Sequence, residues 1–88
     1  MATIEKKCWP EYFQKIFSGE KNFEIRLNDF EAKHGDTLLL REWDPKTKQY
    51  TGRELKKEVT YVARIKHMEN FFKKEEIEKY GFQVIGLK

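Results

Sequence analysis

Cysteine is almost missing from this chain: Cys8 is the only one in 88 residues. A lone thiol excludes an internal disulfide, and small secreted domains ordinarily need such crosslinks. A reducing compartment is therefore expected, with the cytoplasm as the default. Histidine is scarce too. His34 and His67 stand apart from each other and from Cys8, at no spacing that would let them share an ion, so neither a metal nor a cofactor is expected. No apolar run approaches the roughly 20 residues that cross a bilayer, and Met1-Ala2-Thr3-Ile4-Glu5-Lys6-Lys7 lacks the apolar centre of a signal peptide. Neither export nor membrane insertion is indicated. Two prolines and five glycines, all dispersed, leave no linker, repeat or low-complexity stretch.

What the chain does have is aromatic and charged side chains. Hydrophobic residues make up 39% and aromatics 15%, beneath a charged fraction of 38%. That is enough apolar material to close one small core under a well-solvated surface, and too little length for a second. Residues 1–88 read as a single α+β domain, expected to be monomeric. The net charge of +3 draws the chain weakly toward polyanions, but the two signs are interspersed, so nucleic acid is permitted rather than required.

Along the chain, an extended start over Thr3 to Cys8 precedes Pro10, which suits the first helical position because its missing N–H would have no intrahelical acceptor there. The first helix is expected from Pro10 to Ser18, with Tyr12, Phe13, Ile16 and Phe17 as its core stripe and Gly19 ending it. From Asn22 to Asn28 apolar and polar residues alternate, the period of a half-buried strand, which puts Glu24 and Arg26 on one face. Asp29 to Asp36 reads as a loop and Thr37 to Trp43 as a central strand. Turn chemistry from Asp44-Pro45 through Thr51-Gly52 predicts a long hairpin whose return strand runs from about Arg53 to Lys66. A helix follows, beginning near Met68 or covering only Lys73 to Tyr80, and Phe82, Val84 and Ile85 suit a short final strand.

The segment Gly19-Glu20-Lys21-Asn22-Phe23-Glu24-Ile25-Arg26 combines a helix-ending glycine, a lysine just beyond it and a carboxylate–guanidinium pair two residues apart. It resembles the G-x-K-x-x-E-x-R signature of ASCH domains, and Gly35-Asp36-Thr37-Leu38-Leu39-Leu40 resembles the Gly-Asp strand that follows it in that family. Leu40-Arg41-Glu42-Trp43-Asp44-Pro45 and Tyr50-Thr51-Gly52-Arg53-Glu54 are similar to a subgroup of small bacterial and phage members. The resemblance implies a PUA-like β-barrel, with a helix after the first strand and a second short helix near the C-terminus. It further implies a cleft between the first helix and the barrel where RNA or a modified nucleoside binds. The side-chain chemistry suits that use: Lys21 offers an ammonium to a phosphate, Arg26 a planar fork to a phosphate or base edge, and Glu24 an acceptor for an exocyclic amine. Trp9 and Trp43 offer faces on which a base stacks, and Arg41 shares parity with Trp43.

Blander roles stand beside these. A Glu24–Arg26 pair on a solvated strand contributes only about 0–1 kcal/mol and is common. Tryptophans are more often core or lid residues than stacking platforms, and Tyr12, Phe13 and Phe17 read as core. Lys56-Lys57 and Lys73-Lys74 are offset by neighbouring glutamates and trace no RNA path. An RNA- or nucleotide-binding module is the leading expectation. The alternative is a small hydrolase, an amidohydrolase acting on acetylated cytidine or a ribonuclease, with Lys21 and Glu24 as its candidate catalytic residues. Glu24 stands where the amidohydrolase branch has a threonine nucleophile. That departure favours binding. Exposed aromatics around Trp43, Tyr50 and Phe71 leave room for a protein-interaction role with no signature of its own.

Overall fold

Pro10 opens a helix whose first turn needs no proline N–H, and the chain ahead of it is free to extend along a neighbouring strand. In the computed structural model, which describes residues 1–27, 29–66 and 68–81, strand β1 spans Thr3–Cys8 and helix α1 spans Pro10–Phe17. Strands β2, Thr37–Asp44, and β3, Gln49–Glu58, follow. A single 3₁₀ turn at Met68–Asn70 precedes helix α2, Lys74–Tyr80. Among the described residues the strands form one open sheet in the order β1-β2-β3, with β1 parallel and β3 antiparallel to the central β2.

The core lies between α1 and one face of the sheet. Cys8, Phe13, Ile16 and Leu40 are buried together, with Leu38 and Leu55 packed against them. Phe13 and Leu40 lose essentially all contact with solvent. Alternation along β2 gives Leu38, Leu40 and Glu42 to the helix-covered face, and Leu39, Arg41 and Trp43 to the other.

Aspartate fastens the open end of the sheet. Asp36 is buried and accepts the Ala2 and Lys33 N–H groups on its two carboxylate oxygens, each at 2.9 Å. Thr37 N–H donates to the Ala2 carbonyl at 2.8 Å, so the parallel pairing begins beside this clamp. Gly35 adopts φ +94°, a conformation that glycine takes without strain, and a Cβ there would lie 3.1 Å from Met1 Sδ. The Gly35-Asp36 pair thus has a structural duty: it turns the chain into β2 and pins the start of β1.

Several expected elements differ. The strand over Asn22 to Asn28 does not form in its described residues 22–27, which have no regular secondary structure. Ile25 and Leu27 are exposed and only Phe23 is half-buried, so most of the apolar face that would have justified a strand is left in solvent. The return strand starts earlier and stops earlier than the Arg53-to-Lys66 expectation, because the turn is confined to Pro45–Lys48. There the Asp44 side chain accepts Lys46 N–H at 2.8 Å and the Asp44 carbonyl accepts Lys48 N–H at 2.7 Å. At its far end Val59 still exchanges hydrogen bonds with the Gly35-Asp36 turn, but β2 begins at Thr37, and among the described residues no strand continues the pairing beyond it. Thr51-Gly52 lies within β3, where Gly52 at φ +97° marks a bulge opposite Glu42. Of the expected helical stripe, Phe13 and Ile16 are buried while Tyr12 and Phe17 are exposed. An eight-residue helix resting on β2 has room for only two inward side chains. Of the two expectations for the second helix, the shorter holds. The expected final strand at Phe82, Val84 and Ile85 lies outside the described residues.

Candidate functional site

The chain leaves α1 at Gly19, whose φ of +86° lets it turn sharply, and Lys21 N–H returns to the Lys15 carbonyl at 2.9 Å. That turn delivers the signature residues to the C-terminal end of β1. Glu24 accepts from both neighbours: Lys21 Nζ lies 3.1 Å from Oε1 and Arg26 Nε lies 2.9 Å from Oε2. The three side chains are only partly exposed, at 19% for Lys21, 17% for Glu24 and 30% for Arg26. Arg26 also donates through its terminal nitrogen to the Lys7 carbonyl of β1. The Lys21 ammonium sits 5.4 Å from the Tyr12 ring centroid and 5.2 Å from that of Phe23. These contacts tie the cluster to β1 and to the rings of Tyr12 and Phe23.

Beneath it lies Cys8. Burial pushes the Cys8 thiol above its ordinary pKa; the charge of Glu24 adds to the rise, while Lys21 and Arg26 oppose it. The thiol is therefore protonated and inert near neutrality. Its partner across the ladder is Glu42, a carboxylate only 5% exposed. A carboxylate so placed needs hydrogen-bond partners, and the bulge in β3 supplies them. Thr51 Oγ1 donates to Glu42 Oε1 at 2.6 Å, and Arg53 lies 3.7 Å from Oε2. Arg53 in turn donates to Gln14 Oε1 at 3.3 Å and lies over the Phe13 and Phe17 rings at 4.8 and 5.0 Å. The sequence signal for Glu42 was its parity, since it shares the inward face of β2 with Leu38 and Leu40.

The remaining nominated residues are elsewhere. Trp9 flanks the N-terminal end of α1, half out in solvent, and lines a cavity of about 390 Å³ with Pro10, Glu11, Asp44, Pro45 and Lys46. Arg41 and Trp43 occupy the sheet face opposite α1. Arg41 lies 3.6 Å from Glu5 and 3.1 Å from Glu54, and its guanidinium is 3.9 Å from the Tyr50 ring centroid. The Arg41 Nε–H is buried and points off the line to Glu54, so that contact is an ion pair without a hydrogen bond. Among the described residues no ion pair or hydrogen bond joins Trp9, Arg41 or Trp43 to the Lys21–Glu24–Arg26 cluster. Lys7 bridges the two regions: its carbonyl holds Arg26, and its ammonium lies 4.6 Å from the Trp43 ring centroid and 5.9 Å from that of Tyr50.

Among the described residues the molecule is thus a small α+β protein with a three-stranded open sheet, two α-helices and a partly buried cation–carboxylate–cation cluster at the end of β1. The chain belongs to the DUF3850 family, described as a domain of unknown function, whose model matches residues 3–76. It is 38% identical over 64 residues to the "Uncharacterized 12.9 kDa protein in GpA 3'region" of Escherichia phage P2, an alignment covering 72% of this chain and 57% of the phage protein. No solved structure matches. Among the described residues no helix is long and apolar enough to cross a membrane.

Proposed function

We propose that this DUF3850 domain is an RNA- or nucleotide-binding module of the ASCH, PUA-like kind, whose ligand is held at Lys21, Glu24 and Arg26. The observation that carries this reading is the double engagement of Glu24. A carboxylate that already accepts from an ammonium at 3.1 Å and a guanidinium at 2.9 Å is suited to orienting those two cations. It is poorly suited to removing a proton from water or substrate, for which it would have to give up a partner. Two oriented cations around one anion leave a net positive spot, and each keeps N–H groups beyond those spent on Glu24. A phosphate is the ligand that this geometry fits best. The hydrolase alternative, acting on acetylated cytidine or on RNA, asks Glu24 to act as a base and fits less well.

The test is fluorescence anisotropy of a labelled single-stranded RNA with the wild type and with Lys21→Ala and Arg26→Ala, alongside chromatography of acetylated cytidine incubated with the same proteins. Each substitution should weaken binding about tenfold and lower the salt slope by about 1. An RNA that the wild type does not retain, or retains equally with both variants, ends this reading. Turnover of acetylated cytidine that disappears in Glu24→Gln would make the protein an enzyme instead.

A further inference from the structure

Among the described residues Lys7, like Lys6 on the same strand, holds its ammonium against an aromatic ring rather than a carboxylate. Two carboxylates, Glu5 and Glu54, flank the single guanidinium of its neighbour Arg41, yet among the described residues the Lys7 ammonium has no carboxylate partner of its own and rests only against the rings of Trp43 and Tyr50. Those two aromatics are direct partners across the β2–β3 ladder. Tyr50 is 40% exposed and carries the Arg41 guanidinium 3.9 Å from its centroid. Their face of the sheet is opposite the one on which α1 packs. The backbone of Lys7 is fixed by Arg26, so this aromatic face and the signature cluster adjoin at a single residue of β1.

We infer that Trp43 and Tyr50, with Lys7 between them, form a stacking platform for the bases of a single-stranded nucleic acid whose backbone is held next door by Lys21 and Arg26. The inference rests on the reading of that cluster as a phosphate site and adds the surface on which the bases lie. An unpaired base presents a flat face to an aromatic ring whatever its sequence, while a duplex keeps its faces stacked on one another. An ammonium without a counter-ion beside the rings suits the phosphate linking two stacked bases. Arg41, its charge already offset by two carboxylates, lies over the Tyr50 ring at 3.9 Å and extends it with a second flat surface.

The test uses the full chain carrying Trp9→Phe, so that Trp43 is the remaining tryptophan, titrated with ten-nucleotide oligo(A) and oligo(U) and with a ten-base-pair G·C-rich duplex. Saturable quenching of Trp43 by the single strands, with weaker binding of the duplex, is the expected result. Tyr50→Ala should weaken single-strand binding about tenfold with an unchanged salt slope, and Tyr50→Phe should restore it. Lys7→Ala should lower the salt slope by about 1. Circular dichroism of each variant checks that the sheet is retained. If Lys21→Ala abolishes binding while Tyr50→Ala and Lys7→Ala bind as the wild type does, the cluster binds nucleic acid and the platform is wrong. Equal binding of duplex and single strand also overturns the platform. If the wild type binds neither strand, both readings fall together.

Discussion

At Asp36 a single carboxylate organises the beginning of two strands, and its protonation has a readable cost. The N–H groups of Ala2 and then Lys33 hold the Asp36 pKa below the ordinary aspartate value. A carboxylate whose pKa is lowered by folding contributes stability that is complete above its unfolded value, about 3.9, and is lost as the pH falls through the lower folded value. Urea unfolding followed from pH 6 to pH 2 should therefore show an acid limb that is shallower in Asp36→Asn, with a lower midpoint at pH 6. A variant whose acid limb matches the wild type would assign that limb to other carboxylates. Cys8 gives a second residue-level expectation. Buried and held as the thiol, it should react with an aromatic disulfide reagent at pH 8 only on the timescale of unfolding, and immediately in denaturant. Fast labelling of the native protein would mean that the cluster above it opens.

Helix α1 and strand β2 hold the apolar core between them, so their substitutions should be the severe ones. Phe13→Ala removes a fully buried ring at a cost of about 3–5 kcal/mol, set against roughly 5–10 kcal/mol for a whole domain of this length, and should leave the protein largely unfolded in thermal melts at 37 °C. Gly35→Ala puts a side chain into a left-handed turn and against Met1, and should cost about 1–2 kcal/mol by urea titration. These elements also show what the sequence made legible. The spacing of Phe13 and Ile16, Pro10 at the helix start and the apolar run from Thr37 to Trp43 located β1, α1 and β2 closely, because each is decided by local pattern. Asn22 to Asn28 has the pattern of a strand, but among the described residues 22–27 no strand pairing forms, and pairing is not a local property. β3 was misplaced for a related reason. Gly52 reads equally well as a turn or a bulge until the register against β2 is known.

Across the molecule, charged groups are arranged in two layers around the end of β1. Lys21, Glu24 and Arg26 were found from their motif, and their meeting in space follows from the turn after α1. Glu42, Thr51 and Arg53 were not nominated, because a glutamate in a strand is ordinarily a solvated one and only its inward parity distinguishes it. Glu42→Ala should strand Thr51 and Arg53 beside an empty acceptor site and lower stability by about 1–3 kcal/mol, whereas Glu42→Gln, which keeps an acceptor oxygen, should lose less; chemical denaturation of the pair decides it. The mixed sheet has one more implication, for the order in which the fold is assembled. β2 and β3 are joined by four residues and can zip together on their own, in microseconds. The parallel partner β1 must close a loop of 28 residues, from Trp9 to Asp36, before its first hydrogen bond is made. Loop closure therefore favours the hairpin as the nucleus and predicts a late docking of β1. Because Cys8 and the carbonyl that anchors Arg26 both belong to β1, the signature cluster is among the last parts of the chain to acquire its shape.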